Sequence, residues 1–319
     1  LIHVVALAGG VGGAKLVDGL AQLLPPENLT VIVNTGDDFD HLGLKICPDL
    51  DTVCYTLAGL ANPASGWGRQ EESWNALGVL KALGGPDWFN LGDRDLGLHL
   101  ERTRRLQAGQ PLSQVTADFC RAMGVKHPVL PMSDQPVPTR VFTSQGELAF
   151  QEYFVHRQCQ PEVNGFRFDN VQAAQPAPGA LKALAGADVV VFCPSNPWVS
   201  IDPILAVPGM RQAVGERPVV AVSPIIGGQT VKGPAAKMYA ELGITPSALA
   251  VALHYRSLLA GFVFDNLDES LAGSIEEAGM RTCVTDTLMV VPDDRKRLAG
   301  EVIQFCQSLV ENTGPDKGK

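Results

Sequence analysis

The chain has 319 residues, 45% hydrophobic and 18% charged, enough to bury a sizeable core as one large α/β domain or two small ones and too apolar for a mostly disordered chain. Its net charge of −9 comes without a basic stretch, which excludes the broad cationic footprint of a duplex nucleic-acid binder, so any anionic ligand must be held locally. No apolar run reaches the roughly 18 residues that span a bilayer, and no charged n-region leads into a cleavage-site pattern, so no membrane segment and no signal peptide are expected.

Residues 2–8 (IHVVALA) form a short apolar run that breaks into glycines. Residues 14–24 then carry apolar side chains at helical spacing, and 30–33 (TVIV) reads as a second buried strand. Strand, glycine turn, helix, strand is the start of a parallel βαβ unit. Residues 51–84 and 93–124 are mostly helical by periodicity, and 139–155 alternate around a Gln-Gly turn as a β-hairpin does. The βα rhythm returns with short buried runs at 188–193, 218–222, 261–264 and 281–284, separated by helical segments such as 234–242. The pattern predicts an α/β fold. It is a single Rossmann-like domain over 1–319 with a doubly wound parallel sheet, and an inserted helical and hairpin layer at about 51–180 covers the substrate. Seven cysteines (Cys47, Cys54, Cys120, Cys159, Cys193, Cys283, Cys306) never form a C-x-x-C pair, which predicts reduced thiols in a cytoplasmic protein. The last seven residues, TGPDKGK, read as a disordered tail.

The turn AGGVGGAKL fits neither standard phosphate-binding template. Gly10 and Gly12 supply the first half of a dinucleotide fingerprint, but Lys15 stands where its third glycine belongs. A triphosphate P-loop needs a Ser or Thr after its lysine, and Leu16 stands there. The physical principle survives both failures: Gly10, Gly12 and Gly13 allow close backbone approach to an anion, the following helix start offers N–H groups, and Lys15 adds charge. The alternative is a tight turn whose glycines serve packing alone. After the second strand come Asn34, Thr35, Gly36, Asp37 and Asp38. Paired carboxylates there suit a hard divalent cation, with Asp51 joining if its helix folds back; otherwise they form an acidic turn with helix caps.

Two later loops follow buried strands. One carries Ser195, Asn196 and Ser200; the other carries Gly227, Gly228, Lys232 and, just beyond, Lys237. Open α/β sheets bind ligands at such carboxyl ends, and several loops together imply a large phosphate-bearing ligand. In WFNLGDRDL, Trp88 and Asn90 offer a ring and a polar edge to a planar ligand, with Asp93 beside them; by residue type alone the aromatics suit the core and Asp93 a helix cap. His41 and His99 read as surface or cap residues rather than ligands. No Ser–His–Asp or Cys–His arrangement supports covalent catalysis.

Taken together, AGGVGGAKL, NTGDD, PDLDTVCYTLAG, WFNLGDRDL, PSNPWVSIDPIL and SPIIGGQTVKGPAAK resemble the 2-phospho-L-lactate transferase family, in order from residue 4 to about 268. The resemblance implies a transferase in coenzyme F-420 biosynthesis. A lactyl- or enolpyruvyl-diphospho-guanosine would donate its substituted phosphate to the terminal ribityl hydroxyl of the deazaflavin FO, and GMP would leave. It implies Mg2+ on Asp37, Asp38 and Asp51, and a diphosphate cradled by the glycine turn, Asn34, Thr35 and the Ser195–Asn196 loop. The GMP or GDP moiety would lie along 224–237, with Trp88 and Asn90 facing the deazaflavin. A homodimer is the default expectation. The rival reading is a non-catalytic regulatory protein of the same fold that binds a nucleotide-sugar or dinucleotide; a nicotinamide-dependent dehydrogenase is disfavoured by Lys15 and the doubled carboxylate.

Overall fold

The structure is a computed structural model and describes residues 1–313, with side chains to residue 311; all of the expected tail except Thr313 lies outside the described residues. Seven parallel strands form the central sheet. Across the sheet they run Arg281–Thr285, Gly261–Asp265, Val219–Val222, Val189–Phe192, Val4–Ala8, Leu29–Val33 and Val129–Pro131. The inner strands are short Val-rich runs because helices cover both faces and no position needs to be polar. In Val4–Ala8 every residue is buried, and alternate side chains enter two different cores. Val4, Ala6 and Ala8 pack with Leu16, Val17 and Leu20 of helix Gly10–Leu23 and with Leu298 and Val302 of helix Pro292–Thr313. Val5 and Leu7 pack with Leu184, Ile204, Val214 and Val251 on the opposite face.

The strands expected at 2–8, 30–33, 188–193, 218–222, 261–264 and 281–284 are all present. The seventh, Val129–Pro131, is a short apolar stretch flanked and broken by Pro128 and Pro131, and it takes the sheet edge beside Leu29–Val33, where a proline is tolerated. The hairpin expected over 139–155 is shorter, Thr139–Thr143 with Gly146–Ala149, and the chain then turns helical at Glu152–His156; a third antiparallel strand, Val163–Phe168, joins it. Helices Asn75–Ala82, Asp93–Gln107 and Leu112–Ala122 occupy the stretch before it.

This strand order places consecutive chain segments on opposite sides of Val4–Ala8. The second strand pairs on one side and Val189–Phe192 on the other. The crevice beyond their carboxyl ends is the topological switch point, where open sheets of this kind bind ligands.

Candidate functional site

A cavity of about 580 Å3, in the range typical of small-molecule sites, lies over that crevice. Its floor is the turn Gly9–Gly12 after the first strand and the Pro194–Ser200 loop after Val189–Phe192. Asp37, Asp49 and Asp51 stand on one wall. Phe89, Asn90, Phe150 and Phe154 line a wall built by the middle of the chain, and Thr230–Pro234 with Thr287–Met289 close the far side.

The glycine turn is shaped first by packing. A Cβ on Gly9 would sit 2.5 Å from Asp49 Oδ2, one on Gly12 2.4 Å from Pro194 O, and one on Gly13 2.6 Å from Ser195 Oγ. Gly10 has φ +64°, a conformation that side chains resist. The Ser195 hydroxyl stitches turn to loop, donating to Gly9 O at 2.8 Å and accepting from Gly9 N at 3.1 Å. Helix Gly10–Leu23 begins without a side-chain cap; its Gly10 N–H donates to Asp49 Oδ1 at 2.7 Å, while Val11 and Gly12 line the cavity. Gly13 packs behind the cavity, whereas Gly10 and Gly12 both pack tightly and face it.

Asn34 organises the carboxylates. Fully buried at the end of its strand, it directs one Nδ2 at Asp37 Oδ1 (3.0 Å), Asp49 Oδ2 (2.9 Å) and Val199 O (3.0 Å). Two N–H bonds thus serve three acceptors. Its Oδ1 accepts from Gly36 N at 2.8 Å, which fixes the amide orientation. Asp37 and Asp49 are 7% and 5% exposed, and no ion pair joins either to a cation among the described residues. Burial, with each carboxylate near the other, lifts Asp37 well above the usual range, and burial pushes Asp49 up to about 6. Asp38 is pushed to about 8 by burial; its Oδ1 is buried without a partner, and it is not among the residues lining the cavity. Thr35 lies behind the cavity with its hydroxyl also buried and unpartnered.

Asp49, rather than the expected Asp51, shares the Asn34 amide with Asp37. Helix Pro48–Leu57 has proline at its start, so Asp49 in its first turn points back at the glycine turn. Asp51 instead makes a two-point pair with Arg102 of helix Asp93–Gln107, Nη1 to Oδ2 at 3.0 Å and Nη2 to Oδ1. A second acidic group grows around it. Asp51, Asp95 and His99 place three ligand-type atoms within 4.8 Å of one another, and Tyr55 donates its hydroxyl to Asp95 at 2.6 Å. His99, expected at the surface, is 1% exposed, and its Nε2 makes no hydrogen bond although Asp95 Oδ1 lies 3.4 Å away. His41 is also buried, in an edge-on contact with Trp88. The i, i+4 spacing of Asp95 and His99 was the available signal for this pair.

The remaining expected residues divide. Ser195, Asn196, Ser200, Lys15, Lys232 and Asn90 line the cavity. Asn196 also caps the next turn by accepting from Trp198 N at 3.0 Å. Lys15 Nζ donates to Met289 O at 2.5 Å, and burial lowers its pKa, helped by Arg295 and Lys232. Lys232 reaches across to Ser65 O. Trp88, Asp93, Gly227, Gly228 and Lys237 are not among the lining residues. Trp88 stacks on His156 with centroids 5.2 Å apart, and its neighbour Phe89 supplies the ring at the cavity. Asp93 caps helix Asn75–Ala82, accepting from Asn75 N and Ala76 N at 3.0 Å and Ser73 Oγ at 2.6 Å. Gly227 and Gly228 turn the small hairpin Ile225–Thr230 with positive φ, and Lys237 pairs with Glu241.

Fold and cavity together define a doubly wound α/β protein with a small-molecule site of acidic and glycine-rich composition at its switch point. Comparison with known proteins narrows the class. The family model described as 2-phospho-L-lactate transferase CofD matches residues 4–303, and the chain belongs to that family of transferases. A protein of Streptomyces griseus named phosphoenolpyruvate transferase is 44% identical over 97% of this chain and 99% of its own length. One of Kitasatospora aureofaciens with the same name is 47% identical over 97% and 99%. The 2-phospho-L-lactate transferase of Methanosarcina mazei is 38% identical over 94% and 99%. A solved structure of a UPF0052-family protein from Bacillus halodurans superposes with a TM-score of 0.63 at 16% identity, covering 95% of this chain and 98% of that one, which shows a shared fold. No described helix is long and apolar enough to cross a membrane.

Proposed function

We propose that this chain transfers an enolpyruvyl-phosphate group, or its 2-phospholactyl counterpart, from a guanosine diphosphodiester to the terminal ribityl hydroxyl of the deazaflavin FO, with loss of GMP, in coenzyme F-420 assembly. The carrying observation is the Asp37–Asp49 pair beside the start of helix Gly10–Leu23, in a cavity that also has an aromatic wall. The names of the more similar relatives favour the enolpyruvyl donor. A cytoplasmic homodimer belongs to the same reading.

Asp37 and Asp49 fit a magnesium ion. They are hard oxygen donors, buried side by side, held at fixed orientation by one amide, and disfavoured as free anions by their own burial. When bound, the ion would offset the charge that shifts onto the leaving phosphate. The chain's own groups do the rest. N–H groups of Val11 and Gly12 at the helix start, with the Ser200 hydroxyl and Lys15, receive diphosphate oxygens. Phe89, Phe150 and Phe154 hold the planar ring, and Asn90 meets its polar edge. Asp51, backed by Arg102, faces the cavity and accepts the hydrogen bond of the attacking hydroxyl, fixing it for in-line approach.

The test is to incubate the protein with FO, magnesium and each donor and to resolve the deazaflavin products by mass. A phosphodiester product carrying the unsaturated group, with GMP released in equal amount, is expected. FO recovered unchanged with both donors, alongside saturable binding of a nucleotide-sugar or dinucleotide, would replace this proposal with the regulatory reading.

A further inference from the structure

Outside the cavity, a pair of adjoining thiols is left unused by this chemistry. Cys54 Sγ and Cys120 Sγ lie 3.3 Å apart, each residue 4% exposed, on helices Pro48–Leu57 and Leu112–Ala122. The first helix carries Asp49 and Asp51. The second presents Phe119, whose ring centroid lies 6.0 Å from the Arg102 guanidinium that pairs with Asp51. The thiols therefore meet at the joint behind the acidic wall.

We propose that Cys54 and Cys120 are a redox modification site, closed into a reversible disulfide by a small two-electron oxidant, hydrogen peroxide. A disulfide needs the sulfurs about 2 Å apart, so closure asks for an approach of only about 1 Å, shared between two helices. The contact is in sulfur–sulfur register already, and it joins segments 66 positions apart in sequence. The shared hydrogen bond, with burial, raises the Cys54 thiol, while the same hydrogen bond favours the thiolate at Cys120, which makes Cys120 the first nucleophile. Its sulfur attacks one peroxide oxygen, the O–O bond breaks, and a sulfenic acid forms with release of water. The Cys54 sulfur then attacks the sulfenic sulfur; the S–S bond forms, and the second oxygen leaves as water. The two thiols give up two electrons and two protons, and the peroxide becomes two waters.

The experiment treats the full-length protein with hydrogen peroxide in the absence of reductant, blocks the remaining thiols with an alkylating agent, and maps peptides by mass. A single bridged peptide pair containing Cys54 and Cys120, removed by dithiothreitol, is expected. Amide exchange in residues 48–57 should slow in the oxidised protein and recover on reduction. Cys120→Ser should abolish the bridge, while the wild-type map decides the matter even if that variant folds poorly. Alkylation of both Cys54 and Cys120 after peroxide, with oxidation confined to the less buried Cys159 and Cys283, would overturn the proposal.

Discussion

Replacing Asp49 by Asn removes a titrating group whose cost can be worked from the structure. Burial pushes the Asp49 carboxyl from 3.8 to about 6, which corresponds to about 3 kcal/mol against the ionised form in the native state. Because the folded value is raised, this group's contribution is full below pH 4 and is lost as pH rises through about 6. The metal-free wild type should therefore lose about 2 kcal/mol of this between pH 4 and pH 7, a sizeable share of a typical stability of about 5–15 kcal/mol. Asp49→Asn can keep the Gly10 N–H bond through its amide oxygen but sets its NH2 against the Asn34 NH2 and forfeits that hydrogen bond, a loss that does not vary with pH, so the fold should persist with a lower but flatter stability. Urea unfolding at half-unit pH steps, in chelator, reads both proteins. The variant should show a profile flatter by about 2 kcal/mol over that range, while Asp38, pushed to about 8, adds the same decline from about pH 4 to pH 8 in both proteins. Magnesium should raise the wild-type midpoint at pH 8 and leave the variant's nearly unchanged. Parallel profiles for the two proteins between pH 4 and pH 7 would refute the buried-pair account.

Asp37→Asn should lower turnover by orders of magnitude with little loss of folding, checked by product formation alongside circular dichroism. Asn34→Leu leaves Asp37, Asp49 and Val199 O without their common donor; a stability loss of about 1–3 kcal/mol is expected by denaturant titration, and an unchanged midpoint would deny Asn34 its organising role. Gly12→Ala places a methyl 2.4 Å from Pro194 O, so a destabilisation of about 1–3 kcal/mol and weakened binding of inorganic pyrophosphate should appear together in calorimetry. Arg102→Met strands Asp51 among Asp95 and His99, and should cost about 3–5 kcal/mol by thermal unfolding.

Much of the architecture was legible in residue order because it depends on local pattern. Val-rich runs of four or five residues, each followed by a glycine-rich or polar loop, can only be buried strands of a covered parallel sheet, and that sheet type brings their carboxyl ends to one edge. The candidate residues on those loops, from Gly10 and Asp37 to Ser195, Asn196 and Lys232, accordingly meet at one cavity. Tertiary structure alone decided the partners. Whether Asp49 or Asp51 joins Asp37 turns on the rotation of a helix that begins at Pro48, about 100° per residue, so two positions along the chain exchange one face for another. His99 is buried because Arg102 and Asp95, one turn away on either side, fold inward with it against a helix more than forty residues earlier in the chain. Trp88 and Phe89 are adjacent and equally aromatic; Trp88 packs on His156, His41 and Phe39, and Phe89 is the ring that lines the cavity. Periodicity is set by the backbone's own geometry, whereas these choices are settled by side chains distant in sequence.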